Sequence, residues 1–98
     1  MKDYTYILGP CSIENRDLFF QVAESLYPKM KGKEWYLKGS FDKANRTSLK
    51  ANRGPGLSAS ISIFDEIKKT FPGIKLITDV HECWQINHLI GQVDVLQI

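Results

Sequence analysis

The sequence predicts an α/β fold in which short parallel strands alternate with helices. Four short, nearly continuous apolar runs recur along the chain, and segments whose apolar residues repeat at spacings of three and four separate them. The resulting order, β-α-β-α-β-α-β, implies parallel strands joined by right-handed crossovers. Strands that are apolar throughout are typical of a sheet covered on both faces or closed into a barrel.

The first three elements follow from apolar runs and their flanking residues. Residues 4–8 form a β-branched and aromatic run that Gly9-Pro10 stops, which predicts a strand. Asn15 can cap the helix that follows, and Pro28 ends or kinks that helix. Residues 34–38 predict the second strand. The apolar face of the helix consists of Phe19, Val22, Ala23, Leu26 and Met30.

The second half of the chain begins with a polar stretch, residues 39–56, that has no clean periodicity. Loops of this length are uncommon in compact domains and are usually functional or disordered. The later elements are a helix over 57–71, a strand over 74–78, a helix over 82–90 and a strand over 94–98. The aromatic residues predicted to lie in the core are Trp35, Phe64, Phe71 and Trp84.

Composition and charge restrict the class of protein. The 98 residues allow one domain at most, and the net charge is +2. No apolar run approaches a membrane span and no signal peptide is apparent, so we expect a cytoplasmic protein with reduced thiols. Residues 38–53 hold five basic residues and one acidic residue, a net charge of +4, which leaves −2 for the rest. This basic segment predicts an anionic partner or a solvated loop.

Chemically reactive side chains follow the predicted strands at their carboxyl ends. Cys11 comes after the first strand, residues 38–46 after the second, Asp79 and His81 after the third, and Gln97 lies on the fourth. Open α/β sheets and (β/α)8 barrels build their sites at this edge, so the pattern favours an enzyme.

Residues 38–48 contain three cations, three hydroxyl residues and an amide, a mixture that suits phosphate oxygens. Arg53-Gly54-Pro55-Gly56-Leu57 precedes a helix, and its glycines allow the backbone to approach a ligand closely, although the spacing is not that of a P-loop.

Two single residues have more than one interpretation. Cys11 is a metal ligand, a nucleophile or a structural thiol, and His81 is a ligand contact or an ordinary polar residue. The residues alone leave these alternatives open.

Four segments carry a resemblance to a known family. The opening segment, Gly9-Pro10-Cys11-Ser12-Ile13-Glu14, resembles the first strand of the phosphoenolpyruvate-dependent 3-deoxy-ald-2-ulosonate phosphate synthases. Within that family, the 3-deoxy-D-manno-octulosonate 8-phosphate branch is similar at Lys43-Ala44-Asn45-Arg46, at the segment from Arg53 to Leu57 and at Thr78-Asp79-Val80-His81-Glu82. The resemblance covers residues 7–98. Gly39 departs from it, because Ala or Ser is common there, and Thr47 stands where Ser is common.

The resemblance implies a (β/α)8 barrel of about 250 residues. Residues 1–98 then form a single incomplete barrel domain, the first three β/α units and the fourth strand. It also implies a homotetrameric transferase that condenses phosphoenolpyruvate with D-arabinose 5-phosphate on the route to lipopolysaccharide. Because such a partial barrel lacks the later site residues, we expect the isolated chain to be inactive. Because it exposes its edge strands, we expect it to aggregate, dimerise or be only partly ordered.

The resemblance also implies residue roles. Lys38, Lys43 and Asp79 would be catalytic, with Asp79 contacting the sugar or orienting water. Cys11 would be one ligand of a divalent metal (iron, zinc, manganese or cobalt), whose other ligands would lie beyond Ile98. The substrate-binding residues would be Ser40, Asn45, Arg46, Thr47, Arg53, His81 and Gln97, of which Asn45 would hold a sugar hydroxyl and Arg46 and Thr47 the sugar phosphate.

Two alternatives differ from this interpretation. The chain can instead belong to the sister branch, the 3-deoxy-D-arabino-heptulosonate 7-phosphate synthases, which typically carry a Lys-Pro-Arg-Thr-Ser segment after the second strand. It can also be a non-catalytic half-barrel or polyanion-binding module. We do not expect nucleic acid or membrane partners, because the basic residues cluster in one loop and the net charge is only +2.

Overall fold

A computed structural model describes residues 4–13, 15–41, 56–80 and 82–97, and it leaves the side chain of Cys11 undescribed. The element order is the predicted one. The elements are β1 (Thr5–Ser12), α1 (Arg16–Lys29), β2 (Glu34–Ser40), α2 (Leu57–Thr70), β3 (Leu76–Asp79), α3 (Cys83–Leu89) and β4 (Val95–Gln97).

The four strands form one parallel sheet in the order β1-β2-β3-β4. Helices α1 and α2 lie on the same face of this sheet, since the rings of Phe19 and Phe64 meet edge to face at 6.1 Å. A doubly wound sheet reverses its strand order and places helices on both faces, whereas a barrel adds each strand beside the last and keeps its helices outside. The predicted α/β class, as the first part of a barrel, is therefore confirmed.

The hydrophobic core lies between the sheet and this helix layer. Phe19, Phe64, Leu37 and Leu76 are completely buried there, and complete burial of such a side chain is worth about 1.5–3 kcal/mol. The buried cluster consists of Ile13, Phe19, Ala23, Met30, Trp35, Leu37, Phe41, Ile63, Phe64, Ile67, Phe71, Ile74, Leu76 and Leu89. In the described ranges, no helix combines the length and apolarity needed to cross a membrane.

Helix α1 begins and ends where its sequence predicts. The Asn15 side chain accepts a hydrogen bond from the Leu18 N–H at 2.9 Å, which satisfies one of the free donors of the first turn. Pro28 lies in the last turn, and the Met30 N–H still bonds to the Leu26 carbonyl at 2.9 Å. The helix ends at Lys29, so Pro28 marks its end as expected.

Strand β1 does not stop at Gly9-Pro10, and this part of the prediction was wrong. Leu8 pairs with Leu37 and Cys11 pairs with Gly39, so β1 carries one extra residue in a bulge between Leu8 and Cys11. Within the described sheet β1 is an edge strand, where a bulge accommodates a proline that lacks an N–H. A Cβ at Gly9 would overlap the Lys38 carbonyl oxygen, so only glycine permits this approach.

Strand β2 also runs further than predicted, to Ser40. Its buried residues Trp35, Leu37 and Gly39 alternate with the less buried Tyr36 and Lys38, and Ser40 and Phe41 at the end of the strand are both buried. The small glycine hides this alternation in the sequence. The remainder of the predicted polar stretch, residues 42–55, lies outside the described residues.

Trp84 is not a core residue. Its side chain is 52% exposed, while Trp35, Phe64 and Phe71 are buried as expected. The Trp84 ring meets the His88 ring edge to face at 5.8 Å on the surface of α3. A bulky aromatic residue in a short helix is therefore insufficient evidence for burial.

Candidate active site

Polar side chains form a row across the carboxyl edge of the sheet. The register pairs Ser12 with Ser40 and Asp79 with Gln97. Lys38 pairs with Ile77, and continuing that register by two residues brings Ser40 level with Asp79. Because paired residues of neighbouring parallel strands share a face, Ser12, Ser40, Asp79 and Gln97 form one line, here called the edge row.

The edge row lies on the face opposite the helices. Leu37 and Gly39 contact the helix layer, so Lys38 and Ser40, which alternate with them, point away from it. Lys38 therefore shares the face of the edge row, one layer deeper. Its side chain is half-buried, and Ser40 is buried. The structure thus brings together four predicted site residues: Lys38, Ser40, Asp79 and Gln97.

The backbone around Lys38 is held from several sides. A Cβ at Gly39 would come within 2.7 Å of Phe19 Cε1 and 2.8 Å of Ile13 Cγ1. These two completely buried side chains fill the space that Ala or Ser would need. The departure from the family pattern at Gly39 therefore has a packing explanation that the sequence alone does not reveal.

Two hydrogen bonds link the strands next to the edge row, one on each side of Ser40. The Thr78 hydroxyl donates to the Gly39 carbonyl at 2.7 Å, and the Ile13 N–H donates to the Ser40 carbonyl at 2.9 Å. Thr78 is completely buried. Sequence reasoning missed Thr78, although a hydroxyl residue directly before a predicted site aspartate in an apolar strand is a usable signal.

The short strand β4 is positioned at both of its ends. At its start, the Asp94 carboxylate accepts from the Leu76 N–H at 2.7 Å, and the Asp94 N–H donates to the Leu76 carbonyl at 2.8 Å. At its end, the Val80 N–H donates to the Gln97 carbonyl at 3.0 Å. These bonds place Gln97 beside Asp79, and its side chain is exposed to solvent.

The other predicted site residues lie outside the described residues. They are Lys43, Asn45, Arg46, Thr47, Arg53 and His81. Cys11 lies in β1 opposite Gly39, close to the carboxyl edge, and only its backbone is described. Within the described part of the chain, no three His, Cys, Asp or Glu side chains are grouped as a metal would require. These residues therefore do not form a complete metal site by themselves.

A bidentate, half-exposed ion pair joins the outer surfaces of α1 and α2. Arg16 contacts Glu66 through two hydrogen bonds, Nε to Oε1 at 2.8 Å and Nη2 to Oε2 at 3.0 Å. The guanidinium lowers the pKa of the Glu66 carboxyl, and the carboxylate in turn raises the pKa of Arg16. Both side chains are about half exposed, so solvent screens the pair.

Comparison with known proteins settles the family. A sequence model of the DAHP synthetase I family matches residues 2–98, nearly the whole chain. The chain belongs to this family. DAHP abbreviates 3-deoxy-D-arabino-heptulosonate 7-phosphate, so the family description names the heptulosonate branch. The named relatives are therefore needed to distinguish the two branches.

Those relatives carry the name of the octulosonate branch. The Campylobacter jejuni 2-dehydro-3-deoxyphosphooctonate aldolase is 48% identical over 100 residues, which cover 100% of this chain and 36% of that protein. The proteins of the same name from Helicobacter hepaticus and Wolinella succinogenes are 48% and 45% identical, over 92% and 94% of the chain and 34% and 35% of their own length. The predicted resemblance is confirmed, and the heptulosonate alternative is not favoured. The chain spans about a third of the length of these curated relatives.

Proposed function

We propose that this chain forms the first part of a barrel that condenses phosphoenolpyruvate with D-arabinose 5-phosphate. A carbon–carbon bond forms between the methylene carbon of phosphoenolpyruvate and the aldehyde carbon of the sugar. One water is consumed, and the products are 3-deoxy-D-manno-octulosonate 8-phosphate and inorganic phosphate. The observation that carries this proposal is the joint position of Lys38, Ser40 and Asp79 at the carboxyl edge, in a chain whose relatives bear this enzyme's name.

The charge of the site fits two anionic substrates. Phosphoenolpyruvate and a sugar phosphate repel each other, so a site that holds both must supply cations. Lys38 contributes one on the face of the edge row, at the start of the segment 38–53, whose net charge is +4. Lys38, Ser40 and Lys43 would face phosphoenolpyruvate and the reacting carbons.

The remaining residues would hold the sugar. Asp79 at the end of β3 would accept a hydrogen bond from a sugar hydroxyl or orient the consumed water. Asn45 would bind a second hydroxyl, and Arg46 and Thr47 would bind the sugar phosphate through charge-assisted hydrogen bonds. Arg53, His81 and Gln97 would complete the substrate site, and the intact protein would be a cytoplasmic homotetramer.

The proposed enzyme requires a divalent metal, and Cys11 is the one residue of this chain that we propose as a ligand. Its thiolate would be one ligand of iron, zinc, manganese or cobalt, and residues outside this chain would supply the rest. A bound metal would polarise the aldehyde.

A chimera tests the proposed function. Residues 1–98 replace the aligned 100 residues of the Campylobacter jejuni relative, which supplies the rest of the barrel. We expect phosphate release from phosphoenolpyruvate with arabinose 5-phosphate, and none from the 98-residue chain alone. A chimera that melts cooperatively but does not turn over arabinose 5-phosphate would contradict the proposal, and a preference for erythrose 4-phosphate would assign the sister activity.

A further inference from the structure

A buried hydrogen bond connects the two strands that carry the proposed catalytic residues. The donor, Thr78, immediately precedes Asp79, and the acceptor carbonyl belongs to Gly39, between Lys38 and Ser40. The two atoms are 2.7 Å apart, and the Thr78 side chain is completely buried. One side-chain contact therefore joins the peptide units next to three proposed site residues.

This bond lies where the recorded pairing of β2 with β3 ends. The last paired residues are Lys38 and Ile77, and the Leu37 N–H donates to the Lys75 carbonyl at 2.8 Å below them. Continuing the register by one residue places Thr78 opposite Gly39. The Thr78 hydroxyl thus links the strands at the level where the edge row begins.

The acceptor peptide has little freedom to move away from this bond. Phe19 and Ile13 close the space over Gly39 on the helix side, and Gly9 of β1 lies against the Lys38 carbonyl. The Ile13 N–H bonds to the Ser40 carbonyl at 2.9 Å. Contacts from α1 and β1 therefore hold residues 38–40 in place, and the Thr78 hydrogen bond connects these residues to β3.

We propose that Thr78 is a positioning residue that sets the separation between Lys38 on β2 and Asp79 on β3. It touches neither substrate, and the assignment rests on the proposed function, in which Lys38 serves phosphoenolpyruvate and Asp79 serves the sugar. Turnover between two bound reactants is sensitive to their relative placement, while the affinity for each depends on its own contacts. Loss of the bond should therefore lower kcat more than it changes either KM.

Thr78→Val in the chimera tests this role, because valine keeps the shape and removes the donor. The Gly39 carbonyl would then lose this buried hydrogen bond. We expect kcat per folded enzyme to fall about ten-fold, with both KM values changed by less than about two-fold. Thr78→Ser, which restores the hydroxyl, should return kcat to within about three-fold of the unmodified chimera. Should Thr78→Val fail to melt cooperatively, Thr78→Ala replaces it with the same expectation.

The matched control is Thr5→Val at the opposite end of the sheet. The exposed Thr5 hydroxyl also joins neighbouring strands, donating to Glu34 Oε1 at 2.9 Å, and its loss should leave kcat unchanged. The role is overturned if Thr78→Val keeps kcat, if Thr78→Ser is equally impaired, or if the loss only follows the folded fraction. The proposed function survives those outcomes, whereas a cooperatively folded but inactive unmodified chimera overturns both.

Discussion

The two ends of the sheet are built differently. At the carboxyl edge, buried contacts of Ile13, Gly39 and Thr78 hold polar residues in line. At the amino edge, the Thr5–Glu34 bond is exposed, and a cleft of about 470 Å³ opens beside Tyr27, Met30, Trp35 and Ile74. In barrels of this kind the carboxyl face carries the chemistry and the amino face contributes stability. We expect the same division in this chain, because its row of polar residues lies at the carboxyl edge.

The largest expected difference between the ends is in activity. Lys38→Ala in the chimera should lower kcat/KM for phosphoenolpyruvate by about 10³-fold, since a cation facing the reacting groups is lost. Lys33→Ala removes an exposed lysine before β2, at the amino edge, and should have no effect. Steady-state phosphate release measures both. Equal losses would show that the two ends do not differ in function.

Metal removal tests the proposed ligand role of Cys11 at the carboxyl edge. A chelator should reduce turnover of the chimera by about ten-fold or more, with recovery on adding a divalent metal, if Cys11 is a ligand. Cys11→Asn should weaken this metal dependence or the activity itself. Cys83→Ser, at an exposed thiol at the start of α3, is the control and should change neither. Identical responses of Cys11→Asn and Cys83→Ser would contradict the proposal that Cys11 is a metal ligand.

Glycines at the two ends give a smaller contrast, in stability. Gly39→Ala forces Phe19 and Ile13 to shift and should cost about 1–3 kcal/mol of unfolding free energy. Gly32, in the turn before β2, has a φ of 81° and open space around it. Gly32→Ala should therefore cost about 1 kcal/mol, from backbone conformation alone. Urea denaturation of the chimeras compares the two, and a larger loss at Gly32 would contradict the packing explanation.

The smallest effect belongs to the exposed pair on the helix layer, away from both ends. Arg16 holds the pKa of Glu66 below its ordinary value of 4.5. The unfolded state therefore binds more protons, so the contribution of Glu66 to stability is present above about pH 4.5 and is lost as the pH falls. Glu66→Gln should flatten the stability profile over that acidic range in urea titrations. An unchanged profile would show that the pair is not formed in solution.

Local signals predicted the helices and the strand order well. The Asn15 cap and the apolar spacing of Phe19 and Ala23 define α1 without reference to the rest of the chain. The course of β1 through Gly9-Pro10 was not predictable, because the bulge depends on close contact with Lys38 of the neighbouring strand. The exposure of Trp84 likewise depends on which neighbours reach it.

The candidate site was predictable in part. The rule that sites form at carboxyl strand ends selected Lys38, Asp79 and Gln97, and the sheet register brings them to one face. The roles of Thr78 and Gly39 depend on atoms that meet only in the folded chain. The assignments of Lys43, Arg46 and His81 stay predictions from the family resemblance.

Asp94 fixes the register of strand β4 on strand β3, and with it the face of the sheet on which Gln97 lies. Strand β4 is three residues long, so its own ladder gives little resistance to sliding along β3. A slip by one residue would turn Gln97 to the other face of the sheet. The two hydrogen bonds between Asp94 and the Leu76 backbone oppose this slip. Asp94 lies three residues before Gln97, a distance of about 10 Å along the strand. A carboxylate at the opposite end of the strand thus fixes the register that places Gln97 in the edge row.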